Sequence, residues 1–326
     1  MLNLFYREPD EDRWFPYDRI PRRLVRRIRY GPRRPGGQER VFLNLCLGLD
    51  RLGIPYSANN LRRASRHPEE LCCIIGKRQV LDTFPLHNPL MVGPCCYDHS
   101  IDAPDLATRA AVRRILVPGE WMRRMCEAIW GDKVFAWPVG IDTDLWAPEQ
   151  DVPKTIDFIL YNKIRWDHAS RESNLLEPLR AELRRRNLTF SEIRYGSYKL
   201  DQYRALLPTA RAMIFVCEHE TQGIAYQEAL ASGVPILAWD HGGEWLDPSY
   251  HPDRVRYGPV SSVPYWDATC GEKFADIGMF SSALERFQQG LATGIYYPRD
   301  FILTHLELKA AARAFVAHAE AASRRG

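Results

Sequence analysis

Glu220 and Glu228 stand with seven residues between them in the stretch ETQGIAYQE. A short apolar run of β-formers, 212–217, ends just before them, and a similar run, 234–238, follows. Between the two runs, 224–232 reads as a helix, stopped by Gly233 with Pro235 beyond it. Two strands joined through one helix make a βαβ unit and require a parallel sheet. Ligands of such sheets sit outside the carboxyl ends of the strands, which is where Glu220 falls. Glu228 lies in the second turn of the helix. Helical side chains lean toward the N-terminus, so its carboxylate can reach the same place. The N–H groups of Gly223, Ile224 and Ala225 lack intrahelical partners and favour a phosphate. Carboxylates that grip hydroxyls, beside amides that hold a diphosphate, describe a site for a sugar nucleotide.

The frame ETQGIAYQEALASGVPILA resembles the E-x7-E signature of retaining, GT-B-fold glycosyltransferases of family 4 (glycosyl transferases group 1). That family often has Gly after the first Glu. Here Thr221 stands there, so the loop is stiffer or the donor-sugar pocket altered. Three further segments follow the family's order. GGQER, residues 36–40, resembles its GG-x-E-R motif, with Gly36 and Gly37 ahead of a helix where backbone can approach the donor. WPVGIDTDLWAP, 137–148, resembles the segment that closes the first domain, with Val139 where Asn is common. Asn162-Lys163-Ile164-Arg165 stands where the family carries a basic pair for the diphosphate.

The resemblance implies transfer of a sugar from a nucleotide-sugar donor to a glycan, lipid-linked or small-molecule acceptor. It also implies retention of configuration, with no metal and no cofactor besides the co-substrate. Glu228 would hold the ribose hydroxyls and Glu220 those of the donor sugar. Thr221, Gln222, Gly223, Ile224 and Ala225 complete the donor loop. Lys163 matches the first cation. Arg165, His168 and Arg171 are open as the second, with Arg165 placed beside Lys163 in stabilising the charge that develops on the diphosphate. A first-domain His near the reacting carbon would be His99, with Asp98 as neighbour, or His87. The alternatives are a non-catalytic binding protein for sugar nucleotides or an anionic surface, and an epimerase or phosphorylase of the same fold.

The elements that must position these residues alternate along the chain. Strand-like runs at 1–6, 55–58, 71–75, 89–92, 114–117 and 134–137 are interleaved with helices at 41–52 and 120–130. After the polar linker 150–154 come strands at 155–161 and 190–195 and helices at 175–187, 200–207, 280–290 and 301–323. This alternation is α/β. The expected architecture is GT-B: two Rossmann-like domains facing across a cleft, 1–150 on the acceptor side and 151–326 on the nucleotide-sugar side. The long terminal helix can cross back to the first domain.

Composition narrows the classes. The eight cysteines form no C-x-x-C pair and mostly lie in apolar runs, which fits buried thiols better than disulfides or a metal site. No G-x-G-x-x-G run follows a strand, which argues against a nicotinamide oxidoreductase. Residues 1–66 carry 15 Arg against 7 acidic residues, a net of +8 in a chain whose total is +3. The excess centres on 19–34, within a Pro- and Arg-rich excursion, 7–35. That segment reads as a solvated face or a surface for anionic membrane or an acidic acceptor. No helix-turn-helix or aromatic-interleaved pattern points to nucleic acid. Without a transmembrane-length apolar run or signal-peptide pattern, the expected location is cytoplasmic, or peripheral at the inner face of the membrane.

Overall fold

The computed structural model describes residues 1–8, 14–30, 35–83 and 87–324. Residues 31–34 of the basic stretch, 9–13 of the excursion and 84–86 before His87 lie outside the described residues. The chain divides into two compact units. The first is Met1–Pro118, Arg123–Val139 and Ala311–Gly326, and the second is Gly119–Met122 and Gly140–Ala310.

In the first unit β1 (Leu2–Phe5) precedes α1 (Arg19–Tyr30), α2 (Gly37–Leu52), β2 (Tyr56–Ala58), α3 (Leu61–Arg66), β3 (Cys72–Ile74), α4 (Gln79–Thr83) and β4 (Leu90–Val92). Then come β5 (Val112–Val117), α5 (Glu120–Trp130) and β6 (Val134–Ala136). The six strands are all parallel, in the order β2-β1-β3-β4-β5-β6. α2 buries Val41, Phe42, Leu45 and Leu49, one face of a 3.6-residue period, and ends at Gly53 in the left-handed conformation (φ 65°). The cysteines are free, and six of the eight are buried. Burial pushes the Cys126 thiol up to about 12, well away from the range of a reactive thiolate.

The second unit contains β7 (Ile156–Asn162), α6 (His168–Arg171), α7 (Glu177–Arg185), β8 (Phe190–Arg194), α8 (Leu200–Leu206), β9 (Ala210–Val216), α9 (Ile224–Ala231), β10 (Ile236–Trp239) and β11 (Gly271–Phe274). α10 (Ile277–Thr293), α11 (Pro298–His305) and α12 (Leu308–Ser323) complete the chain. Its five parallel strands run β11-β10-β9-β7-β8. Alternate residues of β9 serve opposite faces: Met213 and Phe215 pack with α9 and α11, while Ala212, Ile214 and Val216 pack with α7 and α10. Both sheets are therefore doubly wound. Strand order reverses between β1 and β3 in the first and between β7 and β9 in the second, and ligands of such sheets bind at these points.

Two helices differ from the sequence expectation. The helix expected over 301–323 is broken, because Leu306 and Glu307 leave it to pair with Ile141. Ile141 N donates to the Leu306 carbonyl at 2.8 Å, and Leu306 is fully buried. From Ala311 onward the terminal helix belongs to the first unit, where Trp137 donates to the Ala311 carbonyl (2.9 Å) and packs edge-on against Phe315. The helix expected at 175–187 begins earlier, at His168, and passes through a wide turn at Glu172–Leu176. β11 has no counterpart in the sequence reading. Its residues GEKF include one large apolar side chain, and it sits at the sheet edge, where period and hydrophobicity are weakest.

Candidate donor site

The β7/β9 switch point carries a buried ionic network. Lys163 follows β7 directly and Glu218, His219 and Glu220 follow β9, so the topology itself brings them together. The Lys163 ammonium pairs with the Glu220 carboxylate and lies 4.4 Å from the Tyr195 ring centroid. Burial works most strongly against the charge on Lys163, but the Glu220 carboxylate together with Cys217 and Tyr195 outweighs it and holds the ammonium above its ordinary value. Glu220 is fixed by its backbone: its N–H donates to the Ser261 carbonyl (2.9 Å), and its carbonyl accepts from Trp121 Nε1 (2.8 Å).

Glu218, which the E-x7-E spacing does not single out, braces the neighbouring loop. Its carboxylate accepts from the backbone N–H of Arg165 (3.0 and 3.1 Å) and of Trp166 (3.2 Å). It thereby folds the loop that carries Lys163. The Arg165 guanidinium lies 4.2 Å from the Trp166 ring centroid and 2.7 Å from His219 Nε2. His219 Nε2 also accepts from Trp245 Nε1 at 2.8 Å, which makes the imidazole neutral with its proton on Nδ1. Burial, followed by the Arg165 charge, depresses His219 to about 2. These contacts span more than fifty residues of sequence or join aromatics to loops, so no local pattern announces them.

α9 starts at Gly223, whose φ of +85° is left-handed, and the helix start has no side-chain cap. A Cβ on Gly223 would lie 2.2 Å from the Tyr226 ring and 3.3 Å from Glu220 Cγ. Glycine is thus required here, and the uncapped helix start lies beside the Glu220 side chain. Gln222 and Gln227 exchange hydrogen bonds (3.1 and 2.9 Å) across the first turn. Tyr203 OH donates to the Ala225 carbonyl (2.7 Å). Thr221, at the family's glycine position, has its carbonyl against Gly119, where a Cβ would approach to 2.3 Å. Glu228 lies in the second turn at 1% exposure. Burying a carboxylate is costly, which singles this residue out among those of α9. The far end of α9 is closed by Arg299, which donates to the carbonyls of Ala231 (2.6 Å), Trp146 (3.2 Å) and Thr143 (3.1 Å).

Of the other cation candidates, Arg171 lies 5.1 Å from the Trp239 ring. His168 lines a cavity of about 260 Å³ with Asn162, Glu172 and Arg194 at the carboxyl ends of β7 and β8. The loop Asp240–Gly243 is braced by Asp240, which accepts from Ser261 Oγ (2.9 Å) and Ser262 N (2.8 Å) and pairs with Lys273 (2.8 Å).

In the first unit Gly36 and Gly37 follow β1 at the β1/β3 switch point and Asp98 and His99 follow β4, whereas His87 precedes β4, toward the amino ends of the strands. Gly36 caps α2. A Cβ at Gly36 would come no nearer than 4.0 Å to any atom, and at Gly37 it would meet nothing within 4 Å. Gln38 Nε2 donates to the Cys95 carbonyl (3.4 Å), tying this helix start to the loop that carries Asp98 and His99. His99 Nδ1 accepts from Ile101 N (3.0 Å), capping a short turn, and the ring is buried, whereas Asp98 and His87 are exposed. Among the described residues, a grouping with ligand-like spacing is His67, Glu69 and Glu70, remote in sequence from these motifs. There Glu70 is taken up by Arg63 (2.6 Å) and Asn3 (2.9 Å).

No protein-family model and no curated protein sequence matches the chain. Its fold nevertheless has relatives among solved structures, and it is the GT-B fold of glycosyltransferases, two Rossmann-like α/β units. TarM superposes with a TM-score of 0.55 at 10% identity, over 86% of this chain and 58% of TarM. The lipopolysaccharide outer core galactosyltransferase WaaB, in its apo form, gives 0.51 at 11% identity, over 87% of this chain and 95% of WaaB. The pneumococcal O-GlcNAc transferase GtfA, solved with UDP and GlcNAc, gives 0.50 at 12% identity, over 78% of this chain and 57% of GtfA. The chain thus spans less than two thirds of the length of TarM and of GtfA. Among the described residues no helix is long and apolar enough to cross a membrane.

Proposed function

We propose that this protein is a retaining, metal-independent glycosyltransferase that moves a sugar from a nucleotide-sugar donor to an acceptor. The observation that carries the reading is the β7/β9 switch point. There Lys163, Glu220 and an uncapped helix start at Gly223 come from the two loops that a doubly wound sheet uses for nucleotides, and the buried Glu228 from the second turn of α9. The fold relatives are glycosyltransferases, and one of them was solved with UDP, which supports the same chemistry.

In this reading the amides at Gly223–Ala225 and the Lys163 ammonium meet the diphosphate, while Glu228 holds ribose hydroxyls and Glu220 the donor sugar. As the donor's glycosidic bond breaks, negative charge grows on the diphosphate oxygens. A cation held in place beforehand by Glu220 and Tyr195, and not needing to reorganise, stabilises that charge. Arg165 is the second cation, with its guanidinium oriented by His219 and Trp166. Gly36 and Gly37 offer a helix start that a ligand can approach closely, and His99 with Asp98 belongs to the acceptor side.

The test is a thermal-shift and turnover panel of UDP-, GDP- and ADP-sugars on the wild type and Glu228→Ala. One donor class should raise the melting temperature and be consumed, and the variant should lose at least roughly tenfold in affinity with the loss of charged hydrogen bonds to ribose. A wild type that no nucleotide stabilises, or a variant that binds equally well, would show the site to be misassigned. Stabilisation without turnover across acceptors would favour a binding protein of this fold.

A further inference from the structure

α1 turns its apolar face away from the protein. Its sequence, RIPRRLVRRIRY, holds six arginines and no acidic residue. At about 100° per residue, positions 20, 21, 24, 25 and 28 form one continuous apolar arc, and the six arginine positions occupy the other side. Ile20, Leu24, Val25 and Ile28 are between 60% and 78% exposed. A helix that served the core would bury this arc, as α2 does.

The turn before the helix extends the same surface. Trp14, Phe15 and Tyr17 are between 59% and 75% exposed. They are held in place by Asp18, which is fully buried. Its carboxylate accepts from Trp14 N (3.1 Å) and pairs with Arg22 (3.1 Å). Arg22 lies 5.5 Å from the Trp14 ring and Arg19 lies 5.6 Å from that of Tyr17. Among described residues 14–30 the one acidic group, Asp18, is thus taken up internally, and the surface it organises is aromatic, aliphatic and cationic.

The charge pattern selects the occupant. A second copy would bring arginine against arginine. A polyanion in water would satisfy the arginines and leave the apolar arc wet. A bilayer with anionic headgroups satisfies both, since acyl chains accept the arc and the phosphates accept the guanidinium groups. Aromatic residues at the end of such a helix suit the headgroup boundary. We propose that α1 and the aromatic turn before it dock this protein on an anionic lipid surface. This does not depend on the donor reading.

The test is flotation of the full chain with vesicles of phosphatidylcholine, with and without phosphatidylglycerol. Wild type should float with the phosphatidylglycerol vesicles only. Leu24→Ser/Ile28→Ser should weaken this at least roughly tenfold, since each loses a buried apolar side chain, at an unchanged melting temperature because neither residue lies in the core. Arg29→Gln should weaken it about fivefold, the effect of one charge near the surface. A wild type that does not float, that floats equally with pure phosphatidylcholine, or a serine variant that floats as well as wild type would overturn the proposal.

Discussion

The two sheets reverse strand order at equivalent places and fill those places with opposite chemistry. The β1/β3 point is lined by glycines at a helix start, with Gln38 reaching the loop before His99. The β7/β9 point is packed with charge: Lys163 on Glu220, Glu218 on two backbone amides, Arg165 on His219. One topology can thus present bare backbone or a fixed ionic network, and the choice is made by a few residues after each strand. Where backbone is bare, a substitution changes access and little else. Where charge is interlocked, the same kind of substitution changes stability as well.

The sharpest test of that contrast is Gly223→Ala. The methyl must enter a left-handed backbone and lie 2.2 Å from the ring of the fully buried Tyr226. Overpacking and backbone strain together should cost about 3 kcal/mol or more, read as a lowered urea midpoint, with donor binding lost. A near-neutral result would mean that the loop after β9 is far softer than its contacts imply.

Lys163→Met comes next. It removes the partner of a nearly buried carboxylate and should cost about 2–3 kcal/mol, below the full range for breaking a buried pair because Lys163 keeps some exposure. Adding Glu220→Gln should return part of this loss, giving a coupling energy in a double-mutant cycle. Additive losses would show that the two side chains do not sense each other. The pair also fixes a sign. Lys163 is raised in the folded chain, so its stabilisation is complete below the unfolded lysine value of about 10.4 and is lost as pH rises through the folded value.

How far these sites could be read from the sequence follows from the range of the contacts. α5 begins after Pro118-Gly119 and ends before Gly131, and its expected span agrees with Glu120–Trp130 because both stops are local. The E-x7-E spacing, the glycine at 223 and the cation after β7 are equally local, and they identify the loops. The bonds from Glu218 to Arg165 and Trp166 join residues that only the sheet order makes neighbours, and the bond from Trp121 to Glu220 spans 99 residues of sequence. The break at Leu306 has no local breaker, since its cause is Ile141. The exposed arc of α1 is visible as a pattern, but its outward orientation is a property of the fold.

Acid stability compares the two units directly. Burial, then the neighbouring arginine, depresses His219 to about 2 beside Arg165 and His318 to about 4 beside Arg114. The unfolded chain takes up these protons near pH 6.5 and the folded chain does not. Stability is therefore full above that pH and falls below it by roughly 1.4 kcal/mol per pH unit for each histidine, until the folded value is reached. Urea midpoints followed from pH 7 to 4 should drop less steeply in His219→Gln and in His318→Gln than in wild type. Below pH 4 the advantage of His318→Gln should stop growing while that of His219→Gln continues to grow. Parallel profiles for wild type and both variants would mean that neither ring is held neutral.

The smallest stability effect belongs to the bare backbone. Gly37→Ala places a methyl where nothing lies within 4 Å, at the first residue of α2. Alanine is the better helix former, so stability should be unchanged or rise by about 0.5 kcal/mol. If the helix start receives a ligand, the same methyl intrudes on that open space, and donor or acceptor affinity should fall while the urea midpoint does not. A loss of stability without a loss of affinity would reverse the contrast, making Gly37 a packing residue and leaving the β1/β3 point without a role in binding.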